Sequence, residues 1–197
     1  TNINGYCYLA LADCTGHGVP GALMSVIGSS LLSQIVKNQG ITQPAQILNE
    51  LNENLEQMLS QGINGMGSSR DGMDLALIRI DYPNRKAVFS GAKMSIFRYA
   101  SDELEEIKGD KFPIGGGQYK HREPYTEKEI DLASSSLYFC SDGFLDQFGG
   151  KDNKKFSKKR FRQLIIDNSN FPMSDQAFIF ESHFQEWKGT YRQIDDI

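Results

Sequence analysis

Asp13 closes the apolar run Tyr6-Cys7-Tyr8-Leu9-Ala10-Leu11-Ala12 and opens the turn-forming stretch Cys14-Thr15-Gly16-His17-Gly18-Val19-Pro20-Gly21. The arrangement recurs at Ser141-Asp142-Gly143, after Leu137-Tyr138-Phe139-Cys140, and Asp195-Asp196 stands where a last strand is expected to begin. A carboxylate at the end of a buried strand is held rigidly, and glycines beside it let backbone carbonyls turn toward the same point. Strand ends of one sheet can converge, so three such sites can gather oxygen donors around a hard cation. With no histidine or thiolate partner in the set, Mg²⁺ or Mn²⁺ suits it better than zinc. Each motif taken singly is also an ordinary turn or helix cap, the usual place for Asp beside glycine. Their number in one small chain favours the metal reading.

Gly16, Gly18 and Gly21 also fit G-x-G-x-x-G, the turn that receives a dinucleotide pyrophosphate. That reading needs a second parallel strand ending in an acidic residue about 20 positions on. The chain instead has Lys37-Asn38-Gln39-Gly40 and then another helix, so the reading is set aside. His17 is a candidate general acid, with a solvated turn histidine as the plainer alternative. Lys154, Lys155, Lys158, Lys159, Arg160 and Arg162 crowd together as either a solvated helix face or a docking patch for an acidic partner. Residues 62–72, rich in Gly, Ser and Asn, read as a mobile loop that could close over a substrate, with Asp71 and Asp74 beside it as carboxylates that could approach a third metal.

These residues need elements to hold them. Residues 6–12 have the length and apolarity of a strand. Leu23, Val26, Ile27, Leu31 and Ile35 recur at helical spacing up to about Val36, and Gly40 closes the segment. From Pro44 onward, Ile47, Leu48, Leu51, Leu55, Met58 and Leu59 predict a second amphipathic helix. Short runs at 75–80, 87–90, 95–99, 103–107, 123–132 and 137–140 predict strands, parted by turn signals such as Tyr82-Pro83-Asn84. Phe161, Leu164 and Ile165 mark a helix capped by Ser157, and Ala177, Phe180, Phe184 and Trp187 mark another. The order β, α-α, many β, α-α predicts an α+β layered domain rather than a repeating βαβ fold.

Composition bounds the function. A chain of 197 residues, 39% hydrophobic, can bury a core without disulfides and predicts a single domain. Lys plus Arg number 21 against 25 Asp plus Glu, a net charge of −4 that argues against sequence-independent nucleic-acid binding as the main task. No apolar run is expected to reach the roughly 18 residues of a membrane span, and nothing at the N-terminus reads as a signal peptide. Cys7, Cys14 and Cys140 are odd in number and form no C-x-x-C pair, and the histidines lie far apart, which disfavours zinc and favours the cytoplasm. Both ends read as cut, the chain entering a strand at once and stopping where another is expected, so a longer protein is anticipated.

Taken together, Ala12-Asp13-Cys14-Thr15-Gly16-His17-Gly18 with Pro20-Gly21-Ala22, then Ser141-Asp142-Gly143, then Gln193-Ile194-Asp195-Asp196-Ile197 carry a resemblance. In order and separation, and over nearly the whole chain, they resemble the SpoIIE-type branch of the PPM (protein phosphatase 2C) metal-dependent serine/threonine phosphatases. The stretch at 143–150 and Trp187-Lys188-Gly189 are also similar to bacterial phosphatases fused to sensor or membrane modules. The resemblance implies a four-layer α-β-β-α sandwich, truncated at both ends, as one domain over 1–197 with an upstream sensor or regulatory module in the same chain. It implies that Asp13 bridges two Mn²⁺ or Mg²⁺ ions, that the backbone carbonyl of Cys14 is a further ligand to one, and that Asp142 and Asp195 bind the second. Asp196 would stand beside them, and His17 is the candidate catalytic acid. Two ions about 3.5–4 Å apart can activate a bridging water and clamp phosphoryl oxygens for in-line attack, with no phosphoenzyme required.

The implied substrate is phosphoserine or phosphothreonine on a bacterial regulatory protein, by analogy a STAS-type anti-sigma-factor antagonist opposed by a partner kinase. A homodimer, and a cytoplasmic domain of a membrane-anchored or multidomain sensor, agree with it. The chain departs from the family pattern in lacking its upstream Gly-Asp pair and the strand after Asp196, and in carrying Gly91-Ala92-Lys93 where many relatives have Ala-Gly-His. Two rivals stand beside this expectation. One is a non-catalytic, phosphatase-like regulatory binding domain, which loss of Asp13, Asp142 or Asp195 would have favoured. The other is an ATP-binding domain of the histidine-kinase type, suggested by Asp-x-x-Gly-x-Gly, which gives no reason for Asp142 or Asp195.

Overall fold

The computed structural model describes residues 1–16, 18–62, 71–116 and 122–196. In chain order the elements are β1 (Asn2–Ile3), β2 (Tyr6–Cys14), α1 (Val19–Lys37), α2 (Pro44–Gly62), β3 (Gly72–Asp81), β4 (Lys86–Ala92), β5 (Ile96–Ala100) and β6 (Glu103–Ile107). There follow β7 (Ile114–Gly115), β8 (Lys128–Asp131), β9 (Ser135–Tyr138), α3 (Asp142–Asp146), β10 (Phe148–Gly149), β11 (Lys154–Lys155), α4 (Ser157–Asn168) and α5 (Met173–Lys188). They divide into two units, Thr1–Ile96 with Ile107–Ala133, and Phe97–Glu106 with Ser134–Ile197. Each combines antiparallel strands with helices, as the α+β expectation requires.

In the first unit the strand order is β1-β2-β3-β4-β8, with β7 alongside the start of β3. The β2–β3 ladder is antiparallel and runs from Cys7↔Ile80 to Cys14↔Met73. Ile47, Leu48, Leu51 and Leu55 of α2 have no exposed surface and pack with Met73, Leu75, Leu77 and Ile114 in one core. Burial of each such side chain stabilises the fold by about 1.5–3 kcal/mol. Met58, expected on that face, is exposed.

The apolar spacing predicts part of the buried face of α1: Leu31 and Ile35 turn inward and Ile27 packs against the core, while Leu23 and Val26 face solvent. Gly21, Met24, Gly28 and Val36 complete the inward face. A Cβ on Gly28 would lie 2.5 Å from Met73 Cε, so this glycine leaves room for the end of the Met73 side chain between helix and sheet. By length and composition α1 is also long and apolar enough to cross a membrane, which corrects the expectation that no run reaches that length. Here one face of it packs on the core of the first unit, while Val19, Leu23 and Val26 stand exposed on the other.

In the second unit the sheet order is β6-β5-β9, beside the β10–β11 ribbon. Its core is aromatic. Phe144 lies 5.1 Å from Phe156, 5.3 Å from Phe161 and 5.1 Å from Phe184, ring centre to ring centre. The expected Ser157 cap is absent: Phe156 holds the cap position of α4, with no side-chain capping bond. Phe156 is buried, and its N–H donates to Gln147 O at 2.9 Å, so packing rather than capping chemistry sets where α4 starts. The strand expected over 123–132 shrinks to β8. Ahead of it, Asn49 Oδ1 accepts from Tyr125 N–H at 3.0 Å and Asp110 Oδ2 from Thr126 N–H at 2.7 Å, replacing ladder bonds. Among the described residues α5 is the last element, and Asp195-Asp196 lie in the stretch after it.

Candidate metal centre

Asp13 is the last residue but one of β2, half-buried, and the register sets it directly opposite Asp74 of β3. Facing residues of an antiparallel pair project to the same side, and like charges so placed repel. Lys93, just beyond β4, brings its Nζ to 3.3 Å from Asp74 Oδ2 and offsets part of that repulsion. Its backbone N–H donates to Asp110 O at 2.7 Å. Thr15 locks the end of the ladder: its N–H and Oγ1 donate to Gly72 O at 2.9 and 3.1 Å, and Gly72 N–H donates back to Oγ1 at 2.8 Å. The chain then turns through Gly16 and Gly18, with φ of 89° and 69°, into Pro20 and α1. Cys14 ends the strand, and its Sγ accepts from Ser25 Oγ at 3.4 Å. His17 and most of the expected loop over 62–72 lie outside the described residues.

Asp142 is not in a turn, as the sequence suggested, but is the first residue of the five-residue helix α3. Phe144, two positions on, pins that helix into the aromatic core. Asp195 and Asp196 come back to the same helix start. Ser141 Oγ donates to Asp196 O at 3.0 Å, and Asp196 N–H donates to Asp195 Oδ1 at 2.9 Å. Gly143 makes the approach possible, because any Cβ there would run into the Asp196 carbonyl and lie 3.2 Å from Asp195 Cβ. Two carboxylates separated by more than fifty positions thus leave neighbouring stretches of backbone. Next to them, burial pushes the Cys140 thiol up to about 12, so it stays protonated at neutral pH.

The donors are carboxylate and carbonyl oxygens, the chemistry that hard divalent cations select, and in that respect the residues fit Mg²⁺ or Mn²⁺. Among the described residues no three His, Cys, Asp or Glu side chains converge as a metal site. The carboxylates are arranged by twos: Asp13 facing Asp74 in the first unit, and Asp195 beside the Asp142–Gly143 step in the second. Sequence reasoning raised Asp74 only for a third metal, not opposite Asp13, and passed over Lys93, Ser141 and Gln147 as structural partners. Only strand register and the return of the chain to α3 reveal them.

The basic run on and before α4 has local partners. Lys155 Nζ is 2.7 Å from Asp146 Oδ2, Lys158 Nζ 2.8 Å from Glu106 Oε1, and Lys154 Nζ 3.3 Å from Asp152 Oδ2. Arg160 stacks 4.4 Å above Trp187, and Arg162 donates to Leu104 O at 2.9 Å. These contacts favour the solvated-face reading over a docking patch.

The family model for stage II sporulation protein E (SpoIIE) matches residues 4–197. No curated protein matches the chain by sequence. Among solved structures, the SiaA-PP2C domain of Pseudomonas aeruginosa is 32% identical, with a TM-score of 0.83 over 97% of this chain and 76% of that one. The PP2C phosphatase domain of SpoIIE from Bacillus subtilis, solved with a fragment of its regulatory domain, shares the fold at 14% identity, with a TM-score of 0.66 over 96% of this chain and 55% of that one. RsbX in complex with magnesium shares it at 12% identity, with a TM-score of 0.63 over 95% of this chain and 79% of that one.

Proposed function

The chain belongs to the stage II sporulation protein E (SpoIIE) family, and from that membership we propose that it is a metal-dependent serine/threonine phosphatase acting on a phosphorylated bacterial regulatory protein. The observation that carries the proposal is the return of Asp195 to the start of α3, next to Asp142. We assign Asp13, the Cys14 carbonyl, Asp142 and Asp195 as the ligands of two Mn²⁺ or Mg²⁺ ions; the magnesium complex of RsbX, a protein of the same fold, supports the choice. Such ions, when bound, activate a water and screen the charge that builds on the phosphoryl oxygens.

The chain's own residues hold the assigned carboxylates in place. The Thr15–Gly72 lock fixes the height of Asp13, and α3 with Ser141 fixes Asp142 against the Asp195 segment. His17 remains the candidate proton donor; unchanged turnover in His17→Ala would remove it. A STAS-type phosphoprotein is the substrate the family likeness favours. Cys7, Cys14 and Cys140 are all unpaired, which supports a reducing, cytoplasmic setting.

The test is hydrolysis of p-nitrophenyl phosphate across a Mn²⁺ titration, for this chain and for Asp142→Ala. Turnover that rises with Mn²⁺ and is lost in the variant is the expected result. Metal binding without turnover in the parent would favour a non-catalytic phosphoprotein-binding domain, and absence of metal binding would overturn the proposal.

A further inference from the structure

Gln147, the residue that follows α3, has no exposed surface. Its backbone carbonyl accepts from Trp187 Nε1 at 3.0 Å and from Phe156 N–H at 2.9 Å. Its side-chain Nε2 donates to Phe148 O at 2.9 Å and to Arg192 O at 3.1 Å, while Oε1 has no partner among the described residues. A buried acceptor left unpaired is unfavourable. An apolar side chain of the same volume would fill this space without that penalty, so core filling does not account for an amide here. The donor half does, and it reaches the segment that leads to Asp195.

That segment is tied to α3 at both ends. Gln147, past the C-terminal end, holds Arg192 O; Ser141, ahead of the N-terminal end, holds Asp196 O at 3.0 Å. Between the two ties, Gly143 admits the Asp196 carbonyl and Asp195 Cβ against the helix. We propose that Gln147 is the positioning residue of Asp195, its amide setting residues 192–196 along α3 so that the Asp195 carboxylate is presented beside Asp142. The proposal rests on the reading of those two carboxylates as metal ligands.

Gln147→Met in the full chain fills the same space and donates nothing. Mn²⁺ affinity, followed by the paramagnetic resonance of free Mn²⁺, should weaken about tenfold, as when an outer partner of a ligand is lost. Backbone order parameters of residues 193–196, read by NMR relaxation in the metal-free protein, should fall, while amide exchange within α4 and α5 stays at the parent rate. Unchanged affinity with unchanged order parameters at 193–196 overturns the proposal. Amide exchange that quickens throughout α4 and α5 also overturns it, because that marks general loosening. Gln147→Leu serves if the Met variant does not fold, and failure of both to fold makes the residue structural and ends the proposal. An Asp142→Ala chain that binds Mn²⁺ as the parent does would overturn the metal reading itself. That failure is distinguishable, since the order parameters of 193–196 are read without metal.

Discussion

Tyr125 is buried, donates its hydroxyl to Pro113 O at 2.7 Å and receives Arg122 Nη1 at 3.1 Å. Burial raises its pKa far above the ordinary tyrosine value of 10.0; Arg122 pulls it down, and Asp110, Glu56 and Asp74 push it further up. The folded protein therefore keeps a proton that the unfolded chain surrenders above about pH 10. The stability this contributes is complete below that pH and is lost as pH climbs beyond it. Tyr125→Phe removes two hydrogen bonds and should cost about 1–2 kcal/mol at neutral pH. Denaturant titrations should find the gap between parent and variant constant up to about pH 10 and shrinking above it; a gap that stays constant as pH climbs past about 10 would contradict the burial argument. Residues of this kind were not legible in the sequence, since a tyrosine's burial depends on what packs over it. The same holds at the candidate site. Asp13, Asp142 and Asp195 could be picked out because each adjoins an apolar run or a turn signal. Asp74 could be named beside the loop, but its pairing with Asp13 could not be read, because that depends on a register that no local pattern specifies.

The element that most changes the picture is α3, too short for any periodicity to announce. Long elements were legible: α2 lies where Ile47, Leu48, Leu51 and Leu55 predict it, and β6 matches its expected bounds. Of α1 the inward part of the stripe, Ile27, Leu31 and Ile35, was legible and the exposure of Leu23 and Val26 was not. Two-residue strands and the start of α4 were not legible, and at α4 packing overrides local preference through the buried Phe156. The helix α3 follows the same rule. With only five residues it has little helical stability of its own, and Phe144, in contact with three other aromatic rings, holds it in place. Phe144→Ala should therefore destabilise the second unit by about 3–5 kcal/mol. It should also release the start of α3, so that Asp142 is no longer held. Chemical denaturation measures the first effect. Mn²⁺ titration of the variant under folding conditions measures the second, and a variant that loses stability yet binds Mn²⁺ at parental strength would show that α3 is fixed by something other than Phe144.

At the scale of the whole chain, the charge of −4 conceals an uneven distribution, because carboxylates are set close together in each of the two units. Carboxylates held close repel and weaken the fold that holds them, and a divalent cation reverses that effect by binding the folded state alone. If Asp13 in the first unit and Asp142 with Asp195 in the second are metal ligands, each unit's stability is linked to Mn²⁺ by mass action. At about 100 times the dissociation constant, a single site adds about 2.7 kcal/mol. For a chain near 200 residues each 1 kcal/mol moves the unfolding midpoint by about 2–4 °C, so a rise of roughly 5–10 °C is expected. Scanning calorimetry in chelator and in Mn²⁺ should show the rise in every transition resolved, growing with the logarithm of the Mn²⁺ concentration. Asp13→Asn should diminish the gain of the first unit and Asp142→Ala that of the second. Hydrogen exchange, read on the β2–β3 ladder for one and on α4 for the other, assigns each effect to its unit. A gain confined to one unit would restrict the ligand set to the carboxylates that unit carries, and no gain in either would remove divalent cations from the account of this fold.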